Sequence, residues 1–254
     1  MGTRRLRGAV TRSRPWLRGR DLMLRVGRSD IRVAREDLAR RYLFGEGIEI
    51  GPMTLPTRLP PGVAVRYVDR LDREGLLRVE GPYMHPDHDP ARIPEIHVVD
   101  EADRLANFAD DSVDFIIANH VLEHLEDPIE GLKQMLRVTR PGGVLLLTLP
   151  HARETFDSKR PRTTVEHLVR DHEEGPQVSR REHYEEWARF LEHWSSDDER
   201  QRRVDEFEAD DARHHFHVWE LEDFLRLLTT VELPCEIVHA QSHLHEFAVV
   251  LRAR

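Results

Sequence analysis

Val113-Asp114-Phe115-Ile116-Ile117-Ala118-Asn119, followed at once by His120-Val121-Leu122-Glu123-His124, decides how this chain folds. The apolar run reads as a buried strand, and the polar stretch after it as the first turn of a helix. Positions i, i+3 and i+4 of a helix share one face. His120, Glu123 and His124 are therefore expected to point together beyond the strand end. Two imidazoles and a carboxylate on one face suit a divalent metal. They equally suit acid–base chemistry. The plain alternative is that Glu123 and His124 brace the sheet against the next helix.

The pattern continues on both sides. Asp127-Pro128 starts a helix, with an N-cap acid and a proline at the first helical position. Ile129, Leu132 and Leu136 recur at helical spacing, and Pro141-Gly142-Gly143 stops the helix. Val144–Leu149 reads as a second buried strand, which completes a βαβ unit. Upstream, Ser29-Asp30 caps a helix running to about Tyr42. Ile48–Gly51 is a short strand and a glycine turn. Pro56, Pro60 and Pro61 exclude a regular helix between Met53 and Gly62. Val63–Asp69 and Ile96–Asp100 are strands ending in acids, with a short helix over 72–79. Trp219–Leu228 reads as a helix, and Cys235–Ala240 with Phe247–Leu251 as a terminal antiparallel hairpin.

Residues 151–213 break this rhythm. They are rich in charge and carry Phe156, Tyr184, Trp187, Phe190 and Trp194. Linkers seldom hold so many aromatics, so the segment is expected to be an inserted helical cap. The alternation elsewhere predicts a doubly wound α/β sheet, whose ligands bind beyond the carboxyl ends of the strands. Glu49 and Gly51, Asp69, Asp103, and Asn119 with His120 all fall at or just past such ends.

Composition bounds the function. The chain has 254 residues, 39% hydrophobic and 33% charged, and a net charge of −9. That charge argues against general nucleic-acid affinity. Its single cysteine excludes an internal disulfide framework and fits a reducing compartment, so a cytoplasmic location is expected. No apolar run approaches the roughly 20 residues needed to span a bilayer. Residues 1–28 form an arginine-rich arm without an apolar signal core. The expected organisation is that arm followed by one domain over 29–254, with 151–213 as its cap.

Six pieces, taken in order, resemble the class I S-adenosylmethionine (SAM)-dependent methyltransferases. They are Gly47-Ile48-Glu49-Ile50-Gly51, Arg66-Tyr67-Val68-Asp69, Asp103-Arg104-Leu105, Ser112-Val113-Asp114-Phe115, His120–His124 with Asp127-Pro128, and Arg140-Pro141-Gly142-Gly143. The resemblance covers roughly residues 45–150, and the terminal hairpin agrees with it. It implies a Rossmann-like seven-stranded methyltransferase sheet of order 3-2-1-4-5-7-6, with the helical cap inserted. The family's first loop is usually an acid followed by Gly-x-Gly-x-Gly. Here Pro52, Met53 and Thr54 follow the first glycine, so the methionine end of the cofactor must meet a different backbone. A subgroup that modifies sugars and polysaccharides is similar at this loop, in Phe156–Pro161, in His167, Arg170, Asp171 and His172, and in Ser179–Trp187.

The resemblance implies SAM as cofactor, held by Glu49, Gly51, Asp69, Asp103, Leu105 and Asn119. Asp69 would accept hydrogen bonds from the ribose hydroxyls; Asp100 rivals Asp103 on the adenine side. O-methyltransferases of the ubiquinone pathway resemble the His120–His124 turn and bind Mg²⁺ there. Two histidines shift the preference towards Mn²⁺ or Zn²⁺. His151, directly after a strand, is the expected base; its alternative is a loop histidine without a role. The expected activity is metal-assisted O-methyl transfer to a carbohydrate hydroxyl, such as the 1-hydroxyl of a methylated mannoside. A non-sugar metabolite as acceptor and a non-catalytic SAM-binding module are the alternatives. A carbohydrate acceptor and a second copy of the chain are the expected partners, with no nucleic acid.

Overall fold

A computed structural model describes residues 31–79, 89–192 and 194–254. The basic arm 1–28 and the Ser29-Asp30 cap lie outside the described residues. Residues 31–42 are helical (α1). The strands are β1 (Glu46–Ile50), β2 (Ala64–Asp69), β3 (Val98–Val99), β4 (Val113–Asn119), β5 (Thr139–Pro150), β6 (Cys235–Ser242) and β7 (Glu246–Ala253). The helices are α2 (Arg73–Val79), α3 (Pro128–Val138), α4 (Val165–Glu174), α5 (Arg180–Leu191), α6 (Asp197–Ala209) and α7 (Leu221–Thr230). The sheet order is β3-β2-β1-β4-β5-β7-β6, as expected. β1 to β5 pair in parallel, and β7 runs antiparallel between β5 and β6.

Strand alternation assigns each side chain to a layer. Ile116 and Ala118 of β4, with Leu145, Leu147 and Leu149 of β5, join a core with α3, α4 and α7. Phe115 and Ile117, with Val144 and Leu146, face Leu38 and Ala39 of α1 and Leu43 just after it. Gly47 lies opposite Phe115, where a Cβ would come within 2.4 Å of the ring; the glycine lets the two strands pack. Asp127 caps α3 as expected, its carboxylate accepting from the Glu130 N–H at 2.9 Å.

Two departures from regular βα alternation position the cleft. No helix forms in the proline-rich segment between β1 and β2, so α1 and a loop cover that face of the sheet. Within 151–213, Val165 and Leu168 of α4 pack into the main core. Only α5 and α6 hold a core of their own, built on Tyr184, Ala188, Val204 and Phe207 and closed by Phe216. Among the described residues, no helix is long and apolar enough to cross a membrane.

Candidate active site

Glu49, Asn119 and Thr148 occupy neighbouring strands on the α1 face, within two residues of the carboxyl edge. Register makes them neighbours. The Thr148 hydroxyl donates to Asn119 Oδ1 at 3.0 Å, and Asn119 Nδ2 donates to Glu49 Oε1 at 3.3 Å. Thr57 completes the cluster: its N–H donates to both Glu49 oxygens at 3.0 and 3.1 Å, and its hydroxyl to Oε1 at 2.8 Å. Burial pushes the Glu49 carboxyl up, against those bonds. Glu49 and Asn119 therefore fix the proline loop after β1. Gly51 turns that loop at φ 63°, and its N–H donates to the Val68 carbonyl at 2.9 Å.

The His120–His124 stretch corrects the expectation of an α-helical face. Only a short 3-10 turn forms, over Leu122–His124. His120 precedes it in the left-handed region, φ 55°. Its imidazole meets the start of β7, where Nε2 lies 2.9 Å from a Glu246 oxygen. Glu246 also receives Arg35 of α1, with Nε at 3.0 Å and a second bond through Nη2. Burial raises the Glu246 carboxyl, but His120 and Arg35 outweigh it and hold the group at about 2.

A different trio gathers around Glu123. Its carboxylate is 0% exposed, and neither oxygen has a hydrogen-bond partner among the described residues. His124 and His215 stand beside it, so that one ligand atom from each of the three lies within 4.8 Å of the others. Both imidazoles are oriented from behind. His124 Nδ1 bonds the His214 carbonyl at 3.0 Å, and His215 Nδ1 bonds Asp157 Oδ2 at 2.7 Å. Each Nε2 is thereby left as a lone pair, the arrangement that supporting groups impose on metal-bound histidines. Burial and the neighbouring histidines keep His124 neutral. A buried carboxylate without donors costs several kcal/mol unless protonated or joined by a cation. The residues present fit a divalent metal at Glu123, His124 and His215. His120 stands off, its Nδ1 3.7 Å from Glu123 Oε1.

His151 does not fit the role of base. It is 1% exposed and absent from the cleft wall. Its Nδ1 is 2.7 Å from Glu220 Oε2, and its ring packs on Phe247. Leu105 is likewise buried in the core and offers only backbone, which is already bonded to Glu101 and Arg137. Asp100 is used locally, accepting from the N–H groups of Glu101 and Asn107. Asp103, half-buried, lies in the same turn. Asp69 ends β2 and accepts from the Arg70 N–H at 2.8 Å. Sequence reading missed His215, Glu246 and Arg35; the run His214-His215-Phe216-His217 was the visible signal for the first.

One cleft of about 1010 Å³ opens at the carboxyl edge of the sheet; Asp69, Asp103 and Leu105 are not on its wall. Glu49, Gly51 and Asn119 lie on its wall, with His120, His124 and Glu246. The segment after β5 supplies Thr155 and Phe156, and His215 comes from the irregular segment before α7. The volume stands at the upper end for ligand sites, ample for a cofactor and an acceptor side by side.

Comparison with known proteins decides the family. Residues 62–233, more than half of the chain, match the family described as a methyltransferase domain. The chain belongs to this methyltransferase family. A methyltransferase of Mycobacterium leprae (strain Br4923), itself uncharacterized, is 40% identical over 60 residues, 23% of this chain and 22% of its own length. One from Mycobacterium avium (strain 104) is 51% identical over 41 residues, 16% of each chain. The chain thus covers about a fifth of the length of these curated relatives. Among solved structures, a SAM-dependent methyltransferase of Aquifex aeolicus is 11% identical, with TM-score 0.43 and 82% of each chain covered. One from Methanosarcina mazei is 17% identical, with TM-score 0.42, covering 84% of this chain and 95% of its own.

Proposed function

We propose that this methyltransferase moves the methyl group of SAM to a carbohydrate hydroxyl, with a divalent metal held by Glu123, His124 and His215. The observation that carries the reading is the Glu123 carboxylate, buried without a donor between two imidazoles that are already oriented as ligands. The acceptor class is supported by the cleft wall. Phe156 is 48% exposed there and can stack on a sugar ring, while Arg35, His120, Glu154 and Thr155 offer hydrogen bonds. A greasy acceptor calls for an apolar wall instead. A methylated mannoside is the sugar that the sequence resemblance favours.

SAM supplies an electrophilic methyl, and the metal polarises the acceptor oxygen, when both are bound. The protein's own groups align and deprotonate. With Nε2–H directed at Glu246, His120 keeps Nδ1 as a lone pair able to take the hydroxyl proton. Glu246 and Arg35 fix the ring. The Glu49–Thr57 cluster fixes the loop that replaces the usual glycine-rich turn. Alignment of this kind can supply roughly 7–11 kcal/mol of a bimolecular barrier.

Chelation should suppress transfer, and Mn²⁺ or Mg²⁺ should restore it; Glu123→Gln should lose that response while remaining folded. A second readout does not need turnover. Burial pushes the Glu123 carboxyl up to about 7, so at about pH 6 it must shed a proton to bind metal. Mn²⁺ titrated calorimetrically in buffers of different ionisation heat should therefore show proton release that Glu123→Gln lacks. Full activity in chelator, with unaltered Mn²⁺ binding by that variant, would overturn the metal. A panel of sugar and non-sugar acceptors with labelled SAM tests the acceptor class.

Asp69→Ala removes the two-oxygen acceptor assigned to the ribose. It should weaken SAM binding by about 1.5–3 kcal/mol, measured on a folded variant. Unchanged affinity would place the ribose elsewhere.

A further inference from the structure

A second cluster of histidines lies away from the cleft, where α5 meets α4 and the segment before α7. His167 and Asp171 are one turn apart on α4, His183 is on α5, and His217 precedes α7. His167 Nε2 is 3.1 Å from His183 Nε2 and 2.9 Å from Asp171 Oδ2. His183 Nε2 is 3.8 Å from the same carboxylate oxygen. One ligand atom from each of the three histidines lies within 4.8 Å of the others. The His217 ring is 5.1 Å from His183 and 6.1 Å from His167, centroid to centroid.

Hydrogen bonds alone do not satisfy this group. His167 Nε2 faces two partners, His183 Nε2 and Asp171 Oδ2, but carries at most one proton. His217 Nε2 bonds the Glu126 carbonyl at 3.2 Å, which makes Nε2 the protonated nitrogen and leaves Nδ1 as a lone pair. That Nδ1 is buried, on a residue 1% exposed, and has no partner among the described residues. An orphaned lone pair in the interior costs free energy that an apolar side chain would not. A carbonyl behind the ring is the kind of support that fixes the tautomer of a metal-bound histidine.

We infer that His167, His183, His217 and Asp171 form a structural zinc site that fastens the α5–α6 unit to the sheet domain. The spacing suits the ion. Two ligands each about 2.0–2.1 Å from a tetrahedral zinc are about 3.4 Å apart. The separations of 2.9, 3.1 and 3.8 Å among His167, His183 and Asp171 bracket that value. Three imidazoles supply three of the four positions of a tetrahedral ion, and the Asp171 carboxylate, which lies against His167 and His183, is the candidate for the fourth. Behind the cluster, the Ser179 hydroxyl donates to Asp171 Oδ2 at 2.6 Å and holds the carboxylate in place. Zinc at Nε2 puts the His167 proton on Nδ1 and ends the long 3.4 Å contact from Arg170 Nη2, an exposed side chain able to move aside.

The position gives the ion its work. Phe216 and His217 both direct backbone N–H groups to the Glu123 carbonyl, at 2.7 and 3.3 Å. A tie at His217 therefore holds the segment that also carries His215. This inference does not rest on the metal proposed in the cleft, and the test separates them. The full-length protein is stripped with chelator, dialysed, and titrated with Zn²⁺ against a chromogenic chelator. About one tight equivalent per chain is expected at this site, with a melting temperature that rises with Zn²⁺. Co²⁺ in its place should give the visible absorption of a tetrahedral nitrogen–oxygen site. His167→Gln, on a partly exposed side chain, should remain folded and lose that equivalent and the zinc-dependent rise. His215→Ala should keep both. No tight equivalent in the wild type, or its survival in His167→Gln, overturns the site; so does its loss in His215→Ala alone.

Discussion

His120→Gly should lower kcat by about 10²–10⁴-fold, the range that a positioned base contributes, while SAM still binds. The imidazole stands on the cleft wall, 35% exposed, with Glu246 2.9 Å from Nε2. Glycine is the informative replacement. His120 sits at φ 55°, where an L-residue costs roughly 1–2 kcal/mol more than in its preferred regions. His120→Ala keeps that backbone penalty; His120→Gly removes it. The glycine variant should therefore be the more stable of the two and equally inactive. Strain retained at a catalytic position is a known sign of a functional constraint. Added imidazole should restore part of the lost turnover in either variant. A merely structural histidine would show no such rescue. Turnover within a few-fold of wild type in the glycine variant would remove His120 from the chemistry and leave its bond to Glu246 as a brace for α1.

The sheet was legible because its strands declare their layers. Phe115/Ile117 against Ile116/Ala118 is an alternation that only a strand buried on both faces supports. Asp127-Pro128 and Pro56–Pro61 fixed one helix start and one missing helix through backbone chemistry that needs no tertiary context. The site was less legible, for two physical reasons. The first is backbone conformation. Helical periodicity grouped His120 with Glu123 and His124, but a left-handed residue followed by a 3-10 turn redirects the first of them. The second is sequence distance. His215 and Glu246 reach the cleft only through the packing of the cap and the antiparallel return of β7, and neither lies near Glu123 in the chain. His151 shows the converse error. A histidine directly after β5 is well placed along the chain, yet the Glu220 carboxylate and Phe247 hold it beneath the surface.

Arg160→Ala should cost about 3–5 kcal/mol of stability, the penalty for breaking a buried ion pair by removing one partner. For a chain of this size that is a fall in melting temperature of about 6–20 °C. The Arg160 side chain is 0% exposed. Its Nη1 donates to Asp157 Oδ1 at 2.7 Å, its Nε to Glu186 Oε1 of α5 at 2.8 Å, and its Nη2 to the Phe216 carbonyl at 3.3 Å. The guanidinium also lies 5.6 Å from the Trp187 ring centroid. One residue thus joins the segment after β5, helix α5 and the irregular segment that carries His215. Truncation leaves Asp157 buried with the His215 imidazole as its remaining side-chain partner. Burial favours the neutral Asp157 carboxyl, but bonds from His215 and Arg160 hold it below its ordinary value. A depressed carboxylate contributes stability above its unfolded value, and that contribution disappears as pH falls through the folded one. The gap between wild type and Arg160→Ala should therefore narrow in acid below about pH 4. Arg160→Ala combined with Asp157→Asn should cost less than the sum of the two changes, because each removes the charge that the other leaves uncompensated. Additive losses, or a melting temperature unchanged by Arg160→Ala at neutral pH, would mean that Arg160 does not anchor the cap. The same variants reach the chemistry through Asp157, which orients the His215 ring. If the cleft holds the proposed metal, Arg160→Ala should weaken its binding by about 10–100-fold, the usual effect of loosening the groups that hold a metal ligand in place.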